Sequence, residues 1–484
     1  MNWKAISRNV GAALLVSSLF MLISVLVSVF NGNDSALVAL FISFVITFLV
    51  GAFPFIFVRR AGEISLKEGY VTIVLSWLLS FVFGMLPYAL WGGPFSLQNA
   101  WFESVSGFTT TGATILDDVE ALPDSLLVWR SATHFIGGLG VVVFLLLVIP
   151  DSSPVKLRLV NMEIGSLSRS MYGGRTNRRV YTFASIYFGI FGLAFILYLL
   201  GGMSLLDAVC HAMSVTATGG FSTRNASIGA FGSRWIEGAT MLCMYLSSIH
   251  FGLLYLSIVT RSLRPLNNPI VKYYTASVLV FALLLGINLK ARGLCDTWGA
   301  SLWNGLFEVM CISTTTGFAT IDNSTWPPLM CALILIPAAV CACAGSTSGG
   351  LKIDRVILLF KSTGRQINRI LHPSSVNEVR LSGRILKDED VAPQLLYIAL
   401  YVMLLALSMT LCLWLGVGWQ NSLAASITSI SNVGPALGEM GSMGTFNGAP
   451  ELAKLVFTFD MFLGRIEIYP VLAVVAMIFD RRNR

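Results

Sequence analysis

The chain has 484 residues, of which 55% are hydrophobic and 12% charged, a composition that excludes the soluble globular classes. Its formal net charge of +7 does not indicate nucleic-acid binding, because 25 of the 32 Lys and Arg residues lie in six short clusters between apolar segments. About ten segments approach the roughly 20 apolar residues that a membrane-spanning helix needs. The sequence therefore predicts an all-α polytopic membrane protein.

Residues 1–60 are predicted to form an accessory transmembrane hairpin, with spans at 10–30 and 36–58. Arg59 and Arg60 follow the second span. Further along the chain, basic clusters alternate with short segments that are poor in Lys and Arg and carry Asp and Glu. The positive-inside rule then places both termini and the basic segments on the cytoplasmic side.

After the hairpin, one pattern occurs four times: a short stretch begins with Asn or Asp and reaches a glycine thirteen residues later. The four stretches are Asn99–Gly112, Asp207–Gly220, Asn304–Gly317 and Asn421–Gly434. Each lies between two longer apolar segments and is itself too short to cross a membrane. An internal repeat of this kind predicts four similar units, each with a re-entrant short helix between two spans.

The repeat divides the rest of the chain into four predicted units. They are residues 61–180, 181–266, 267–388 and 389–484, with pore loops near Gly112, Gly220, Gly317 and Gly434. The re-entrant helices are expected at 96–108, 204–214, 301–312 and 420–430. In the third unit, the basic stretch 364–390 is predicted to be a cytoplasmic surface loop. Four units around one axis would close a pore within a single chain.

The glycine ends of the four stretches have the chemistry of an ion selectivity filter. A dehydrated cation needs oxygen ligands in place of water, and rings of backbone carbonyls supply them in potassium channels. Glycine adopts the unusual dihedral angles that such a ring needs at low cost. The predicted filter residues are Thr110, Thr111, Gly112, Thr218, Gly219, Gly220, Thr315, Thr316, Gly317, Asn432, Val433 and Gly434.

Two alternatives to this filter assignment stay open at the sequence level. In the second stretch a register centred on Gly219 is also possible, although the thirteen-residue spacing from Asp207 favours Gly220. The four stretches could also be helix-packing motifs, in which small residues let helices approach closely. Their common register after four short apolar segments favours the filter.

A candidate gate interrupts the second span of the third unit. It consists of Gly345, Ser346, Thr347, Ser348, Gly349 and Gly350. This composition is poor for a helix, and irregular backbone at membrane depth is tolerated where it is buried in protein or lines a water-filled cavity. The segment is therefore predicted to be a flexible gate below the filter. The alternative is an ordinary helix end at the inner face.

Arg465 lies near the middle of the last apolar segment, where a charge is costly and usually functional. It is predicted to place a positive barrier in the pore below the filter. The alternative is a structural role, in which Arg465 pairs with Glu467, Asp460 or backbone carbonyls.

The four glycine stretches, the broken span at 345–350 and the motif Gly464-Arg-Ile-Glu467 together resemble the Trk/Ktr/HKT superfamily of potassium transporters. The resemblance covers essentially the whole chain, and the N-terminal hairpin is similar to that of TrkH-type uptake subunits. It implies four pseudo-fourfold membrane helix–pore helix–membrane helix repeats, as in K⁺ channels, and K⁺ uptake across the bacterial inner membrane. It further implies a homodimer regulated by a cytoplasmic, nucleotide-binding TrkA-type ring, with K⁺ and Rb⁺ as permeant ions and no organic cofactor.

Other functions are weighed against this gated conduit. A K⁺/H⁺ or K⁺/Na⁺ symporter is disfavoured by the few intramembrane carboxylates, and a weakly selective K⁺/Na⁺ conduit stays open because Asn432-Val433-Gly434 departs from the Thr-rich runs. A membrane-embedded enzyme is disfavoured because the four histidines show no metal-site or triad spacing. They are His134, His211, His250 and His372.

Overall fold

The computed structural model describes residues 1–58, 65–148, 176–374, 377–381 and 384–479. The first ten helices are α1 Trp3–Phe30, α2 Leu37–Phe57, α3 Leu66–Gly84, α4 Leu86–Trp91, α5 Leu97–Phe108, α6 Asp124–Val148, α7 Thr176–Leu200, α8 Leu205–Ala217, α9 Arg234–Ser248 and α10 Phe251–Val259. The remaining helices are α11 Pro269–Ala291, α12 Trp298–Ser313, α13 Pro328–Val340, α14 Ile353–Leu371, α15 Asp388–Trp414, α16 Trp419–Ser431, α17 Glu451–Ile466 and α18 Ile468–Phe479. Two strands, β1 Val379–Leu381 and β2 Arg384–Leu386, pair antiparallel.

Within these residues, six helices are long and apolar enough to cross a membrane, or eight if each of two bent pairs counts as one span. The six are α1, α2, α3 continued by α4, α7, α11 and α15, and the bent pairs are α9 with α10 and α17 with α18. The helices α6 and α13 are not among these eight spans. Together with them, the eight spans correspond to the ten apolar segments in the sequence. The prediction of an all-α polytopic membrane protein is confirmed.

The N-terminal hairpin consists of α1 and α2, which lie so close that a Cβ atom on Gly11 would come nearer than 3.0 Å to the carbonyl oxygen of Gly51. The turn between the two helices is fixed to α6, because Asp34 accepts hydrogen bonds from the hydroxyls of Ser28 (2.6 Å) and Ser125 (2.9 Å). The hairpin therefore lies beside the first of the four glycine units. The predicted basic stop at Arg59 falls outside the described residues, as does most of the basic cluster at 156–179.

The rest of the chain repeats one arrangement four times, in which a short helix and a loop lie between two membrane helices. The short helices are α5, α8, α12 and α16. Hydroxyl side chains begin three of them, since Ser96, Ser204 and Thr297 each accept a hydrogen bond from the backbone three residues on. Such N-caps satisfy donors that the first helical turn leaves unpaired. Side-chain caps thus mark the start of three of the four short helices, and in all four the following loop begins 12–16 residues after the helix starts.

The second membrane helix is broken in three of the four units, and the sequence predicts only one of these breaks. Residues 341–352 carry no helix between α13 and α14. In addition, α9 and α10 meet at 100°, and α17 and α18 meet at 107° around Glu467, whose φ is +65°. Both of these breaks lie in apolar sequence that reads as continuous span, so hydropathy alone does not show them.

The stretch 364–390 is more ordered than the predicted surface loop. Helix α14 continues to Leu371, the β-hairpin follows, and α15 begins at Asp388. Val379 and Leu381 are buried, as is Leu358 on the facing side of α14. Alternate strand residues and one helix face therefore form a small apolar contact, and the prediction of a loop is wrong for most of this stretch.

Candidate functional site

The four glycine loops share one backbone conformation. In each loop the residue two positions before the glycine has a left-handed φ, between +52° and +60°, and the glycine itself has a φ between +78° and +92°. The left-handed residues are Thr110, Thr218, Thr315 and Asn432, and the glycines are Gly112, Gly220, Gly317 and Gly434. In the second loop, this pattern puts Gly220 rather than Gly219 at the position equivalent to the other glycines.

The same hydrogen bond ends each short helix. The amide of the residue before the glycine donates to the carbonyl five residues back, at 2.9 Å in the first three loops and 2.8 Å in the fourth. The four donors are Thr111, Gly219, Thr316 and Val433. This six-to-one bond around a left-handed residue is the Schellman termination of a helix, usually built with glycine. Three threonines and an asparagine hold that strained position here, so the surrounding structure must impose it.

The four loops close into a ring. A Cβ atom placed on each glycine would lie closer than 3.0 Å to a carbonyl oxygen of the next loop. Gly112 faces the oxygen of Gly219, and Gly220 faces that of Thr316. Gly317 faces the oxygen of Val433, and Gly434 returns to that of Thr111. The contacts therefore run from unit one to two, three, four and back to one, which brings all twelve sequence-predicted filter residues together.

The carbonyl ends of the short helices point toward this ring, because the ring loops follow their C-termini directly. A helix carries partial negative charge at its C-terminal end, where the last carbonyls lack partners within the helix. Four such ends converge on one site. The electrostatic field there favours a cation over an anion.

The four loops are supported from behind in three different ways. In the first and third loops a pair of threonine hydroxyls lies at hydrogen-bond distance, Thr109 with Thr111 at 2.8 Å and Thr314 with Thr316 at 2.7 Å. In the fourth, the Asn432 amide donates to the Thr111 hydroxyl (3.0 Å). This last bond joins the fourth loop to the first and depends on the residue that departs from the Thr-rich pattern.

The second loop is supported by His134, which sequence reasoning did not place at the site. The imidazole of this α6 residue occupies the space where a side chain on Gly219 would lie. It stacks on Phe221, with ring centroids 4.0 Å apart, and its Nδ1 lies 3.1 Å from the Ser214 hydroxyl. Gly219 stands where the other three loops have Thr or Val, and the missing side chain makes room for the imidazole of His134. The two residues are 85 positions apart, so no local sequence pattern reveals this contact.

Buried carboxylates hold the segments that follow the glycines of the first and third loops. Glu103 on α5 accepts hydrogen bonds from the Thr114 hydroxyl (3.0 Å) and the Ile115 amide (3.2 Å), and it forms a buried ion pair with Arg130 (2.6 Å). Glu308 at the equivalent position of α12 accepts from the Thr320 amide (3.3 Å). Both carboxyls lie behind the ring, and Arg130 has a structural role there.

Residues 345–350 lie directly against one end of the ring. The Gly349 amide donates to the Thr315 hydroxyl (3.0 Å), and the Thr347 hydroxyl lies 3.4 Å from that of Thr218. A Cβ atom on Gly349 would come closer than 3.0 Å to the Ser431 carbonyl beside the fourth loop. The segment therefore touches three of the four units and covers the end of the ring at which the left-handed residues lie.

Arg465 reaches this segment from α17. Its guanidinium donates to the Thr347 carbonyl (2.8 Å) and to the Gly137 carbonyl on α6 (3.0 Å), and the side chain is buried. The carboxylate partners considered in the sequence are engaged elsewhere. Glu467 pairs with Arg355 (2.9 Å), and Asp460 accepts from the Ser408 hydroxyl. Of the structural alternatives, the backbone carbonyls are the ones that Arg465 contacts.

The opposite end of the ring opens into a cavity that all four glycines line. Asp117 at its rim accepts hydrogen bonds from Thr445 and Asn447 (both 2.6 Å), which joins the first unit to the fourth. Arg224 donates to the Asp207 carboxylate (2.9 Å), and this hydrogen bond raises the pKa of the Arg224 guanidinium. The positive charge of Arg224, which lines the cavity, is therefore compensated by an adjacent carboxylate.

Comparison with known proteins assigns the family of the chain. The model of the TrkH family, described as a cation transport protein, matches residues 36–290 and 297–483. The Trk system potassium uptake protein TrkI of Halomonas elongata is 34% identical, over 99% of this chain and 97% of its own length. The Trk system potassium uptake protein TrkG of Escherichia coli is 31% identical over 99% of each chain. The chain belongs to the TrkH family of cation transport proteins.

The fold is that of a solved member of the same family. The crystal structure of the potassium transporter TrkH from Vibrio parahaemolyticus matches with a TM-score of 0.89 and 27% identity, over 99% of this chain and all of that one. The predicted architecture, a hairpin followed by four membrane helix–pore helix–membrane helix repeats, is confirmed. Membership of a transporter family also confirms that the chain is not an enzyme.

Proposed function

We propose that this chain is a K⁺ uptake pore of the bacterial inner membrane and that the ring of four glycine loops is its selectivity filter. The observation that carries the proposal is the closed cycle of contacts from each ring glycine to a carbonyl oxygen of the next loop. Rings of backbone carbonyls replace the hydration shell of K⁺ in potassium filters. Rb⁺ is close to K⁺ in its chemistry, and we expect it to permeate as well.

The backbone pattern suggests a separate role for each of the three positions that the twelve filter residues occupy in their loops. The carbonyls before the glycines form the ring, and the glycines keep neighbouring loops close enough to form it. The left-handed residues supply side-chain oxygens at the covered end, because the hydroxyls of Thr218 and Thr315 already contact residues 345–350 there. All four of these residues, Asn432 included, carry a side-chain oxygen.

We propose that residues 345–350 and Arg465 form the gate. The segment covers one end of the ring and is held by single hydrogen bonds to side chains and carbonyls, which contribute about 1 kcal/mol net for each neutral bond and about 2 kcal/mol for the charged bond from Arg465. Arg465 adds a positive charge next to the ion path and fixes the segment at Thr347. Movement of the segment away from the ring would open the path.

The assembly around the pore is also proposed. The named relatives belong to a Trk system, which supports a multicomponent transporter. We propose a homodimer with cytoplasmic termini, on whose basic segments a TrkA-type nucleotide-binding ring docks and controls the gate. The units that this assembly uses are residues 1–60, 61–180, 181–266, 267–388 and 389–484, with the first as the accessory hairpin.

Uptake of radiolabelled Rb⁺ into proteoliposomes containing this chain alone tests the function. Competing K⁺ should block the uptake, and Na⁺ at equal concentration should block it weakly. Equal block by both ions would favour the weakly selective conduit, and uptake driven by an imposed H⁺ or Na⁺ gradient would favour a symporter. If the intact chain is inactive, a variant lacking residues 346–349 decides the matter, because a closed gate predicts recovered uptake and a wrong function predicts none.

A further inference from the structure

A large apolar groove lies on the side of the molecule, away from the ring. It has a volume of about 750 Å³ and is bounded by the start of α1, by α3, and by the last two helices, α17 and α18. Trp101 of the short helix α5 forms part of its floor. Pockets for small organic ligands have volumes of about 300–1,000 Å³, so the groove is large enough for a specific occupant.

The lining of the groove excludes a polar occupant. The described lining residues are aliphatic, aromatic or Met, except for Thr458, whose hydroxyl already accepts a hydrogen bond from Trp101 (3.2 Å) and donates to the Leu455 carbonyl (2.9 Å). Water enters such a cavity only where polar partners are available. Because α3 and the bent pair α17–α18 are membrane spans, the groove lies where acyl chains are the solvent.

The groove opens sideways to the bilayer rather than into the pore. Phe459 on α17 and Ile478 on α18 line it and are 55% and 68% exposed, whereas Phe81 at its floor is 1% exposed. A chain from the surrounding lipid can therefore enter between the two helices. Its depth from an exposed rim to a buried floor distinguishes the groove from the flat apolar faces of α2.

Two lysines lie at the end of the groove where α1 and α3 begin. Lys67 precedes the lining residues Val71, Val74, Leu75 and Leu78 on one stripe of α3. Lys4 lies in the first turn of α1, next in sequence to the lining residue Trp3. The backbone amide of Asn2 donates to the Glu68 carboxylate, which brings the starts of the two helices together. Both lysines are exposed, on the face that the basic pattern predicts to be cytoplasmic. Lysines at that depth attract anionic headgroups.

We propose that this groove is a binding site for an anionic phospholipid, with one acyl chain along α3 and α17 and the phosphate near Lys4 and Lys67. The site is connected to the ring through its floor. Phe81 packs edge-on against Trp101 of α5 (centroids 5.9 Å apart) and Phe462 of α17 (5.6 Å), and Phe462 lies one turn before Arg465. A bound chain therefore supports both a short helix of the ring and the helix that carries Arg465.

Photolabelling in nanodiscs tests the site. The probe is phosphatidylglycerol with a diazirine on its acyl chain, and the adducts are mapped by peptide mass spectrometry. We expect them on peptides covering 71–81 and 455–462. Leu455→Trp places a larger ring in the groove and should reduce these adducts about fivefold, whereas Leu49→Trp on the lipid-facing side of α2 should not. Both replaced residues are partly exposed, so both variants should purify as folded protein.

The headgroup is tested with the same diazirine chain on phosphatidylcholine. It should label the groove about threefold less, and Lys4→Gln combined with Lys67→Gln should remove the difference. Equal labelling in Leu455→Trp and the parent, or equal labelling by the two lipids, would overturn the proposal. A disulfide between two copies that carry Phe459→Cys, formed in place of lipid adducts, would assign the groove to a second copy of the chain and overturn it as well.

Discussion

The ring of glycine loops and the segment that covers it differ in how often their contacts are repeated. The ring uses the same backbone geometry four times, although its four sequences differ, and it is fixed by steric fit between glycines and carbonyls. The covering segment, residues 345–350, occurs once and contacts three units unequally. Steric fit resists small displacements, because close-packed interiors tolerate little change in volume. The covering segment is also closely packed, since a Cβ atom on Gly349 would come closer than 3.0 Å to the Ser431 carbonyl, but its contacts are made once and are not repeated around the ring.

This difference assigns rigidity and mobility within one site. At the four ring glycines a carbonyl oxygen of the next loop lies where a Cβ atom would stand, so the loops have no free space in which to approach one another or slide independently. Residues 345–350 contain three glycines and lie between breaks at Cys341 and Lys352, both of which have left-handed φ values. Selectivity needs fixed distances and gating needs two positions, so the two regions suit those two tasks.

The largest effect is expected from a side chain inside the ring. Gly112→Ser adds a Cβ atom that meets the Gly219 carbonyl oxygen at a residue whose φ is +84°, so the first two loops must separate. We expect the preference for K⁺ over Na⁺ to fall by on the order of a hundredfold, or about 3 kcal/mol. Competition of Na⁺ with Rb⁺ uptake measures it. Gly92→Ser is the matched control, because Gly92 has a similar φ of +80° but open space around it. An equal fall in the preference for K⁺ over Na⁺ in both variants would contradict the assignment of the ring as the filter.

The buried ion pair between Glu467 and Arg355 should show the next largest effect. Glu467 pairs with Arg355 at 2.9 Å, and both side chains are mostly buried. Glu467→Gln leaves the arginine without its counter-charge and should lower the free energy of unfolding by about 2 kcal/mol, less than the 3–5 kcal/mol of a fully buried pair. Thermal unfolding of purified protein measures this. Glu378→Gln breaks an exposed pair and should cost under about 1 kcal/mol. Similar losses in the two variants would show that burial does not strengthen the Glu467–Arg355 pair.

Removal of Arg465 should loosen the segment without changing the ring. Arg465→Ala removes the hydrogen bond to Thr347 and a positive charge near the ion path, so basal Rb⁺ uptake should rise about fivefold, equivalent to about 1 kcal/mol. The K⁺ over Na⁺ preference should stay the same. In a chain that already lacks residues 346–349, the same substitution should add little. Additive effects in the combined variant would mean that Arg465 acts independently of the segment.

The smallest effect is expected at the cavity rim. Asp117 is exposed there and accepts hydrogen bonds from Thr445 and Asn447, and Asp117→Asn removes the charge but keeps an acceptor oxygen. Uptake at low ionic strength should fall by less than about twofold, because an exposed charge attracts cations only weakly. The effect should vanish near physiological salt, where the Debye length is about 8 Å. Asp322→Asn, an exposed carboxylate outside the cavity, serves as the control. A loss that persists at high salt would give Asp117 a structural role in joining the units.

The repeated loops, the N-terminal hairpin and the helix break at 345–350 could be predicted from sequence, whereas the contacts between distant parts of the chain could not. Four equal spacings to glycine predict four similar loops, because equivalent local sequences adopt equivalent backbone conformations. The bends at His250 and Glu467 were missed because they lie within apolar runs. His134 was missed because its contact with Gly219 depends on tertiary packing. The partners of Arg465 depend on where Glu467 points, and its left-handed φ turns that carboxylate toward Arg355.

Anomalous diffraction from crystals grown in Rb⁺ tests the central claim most directly. If the ring is the filter, Rb⁺ should lie on its axis, level with the carbonyls of residues 111, 219, 316 and 433. A soak in K⁺ should displace the signal, and a soak in Na⁺ should leave it. Rb⁺ sites confined to the outer cavity or to other helices, with none inside the ring, would contradict the assignment.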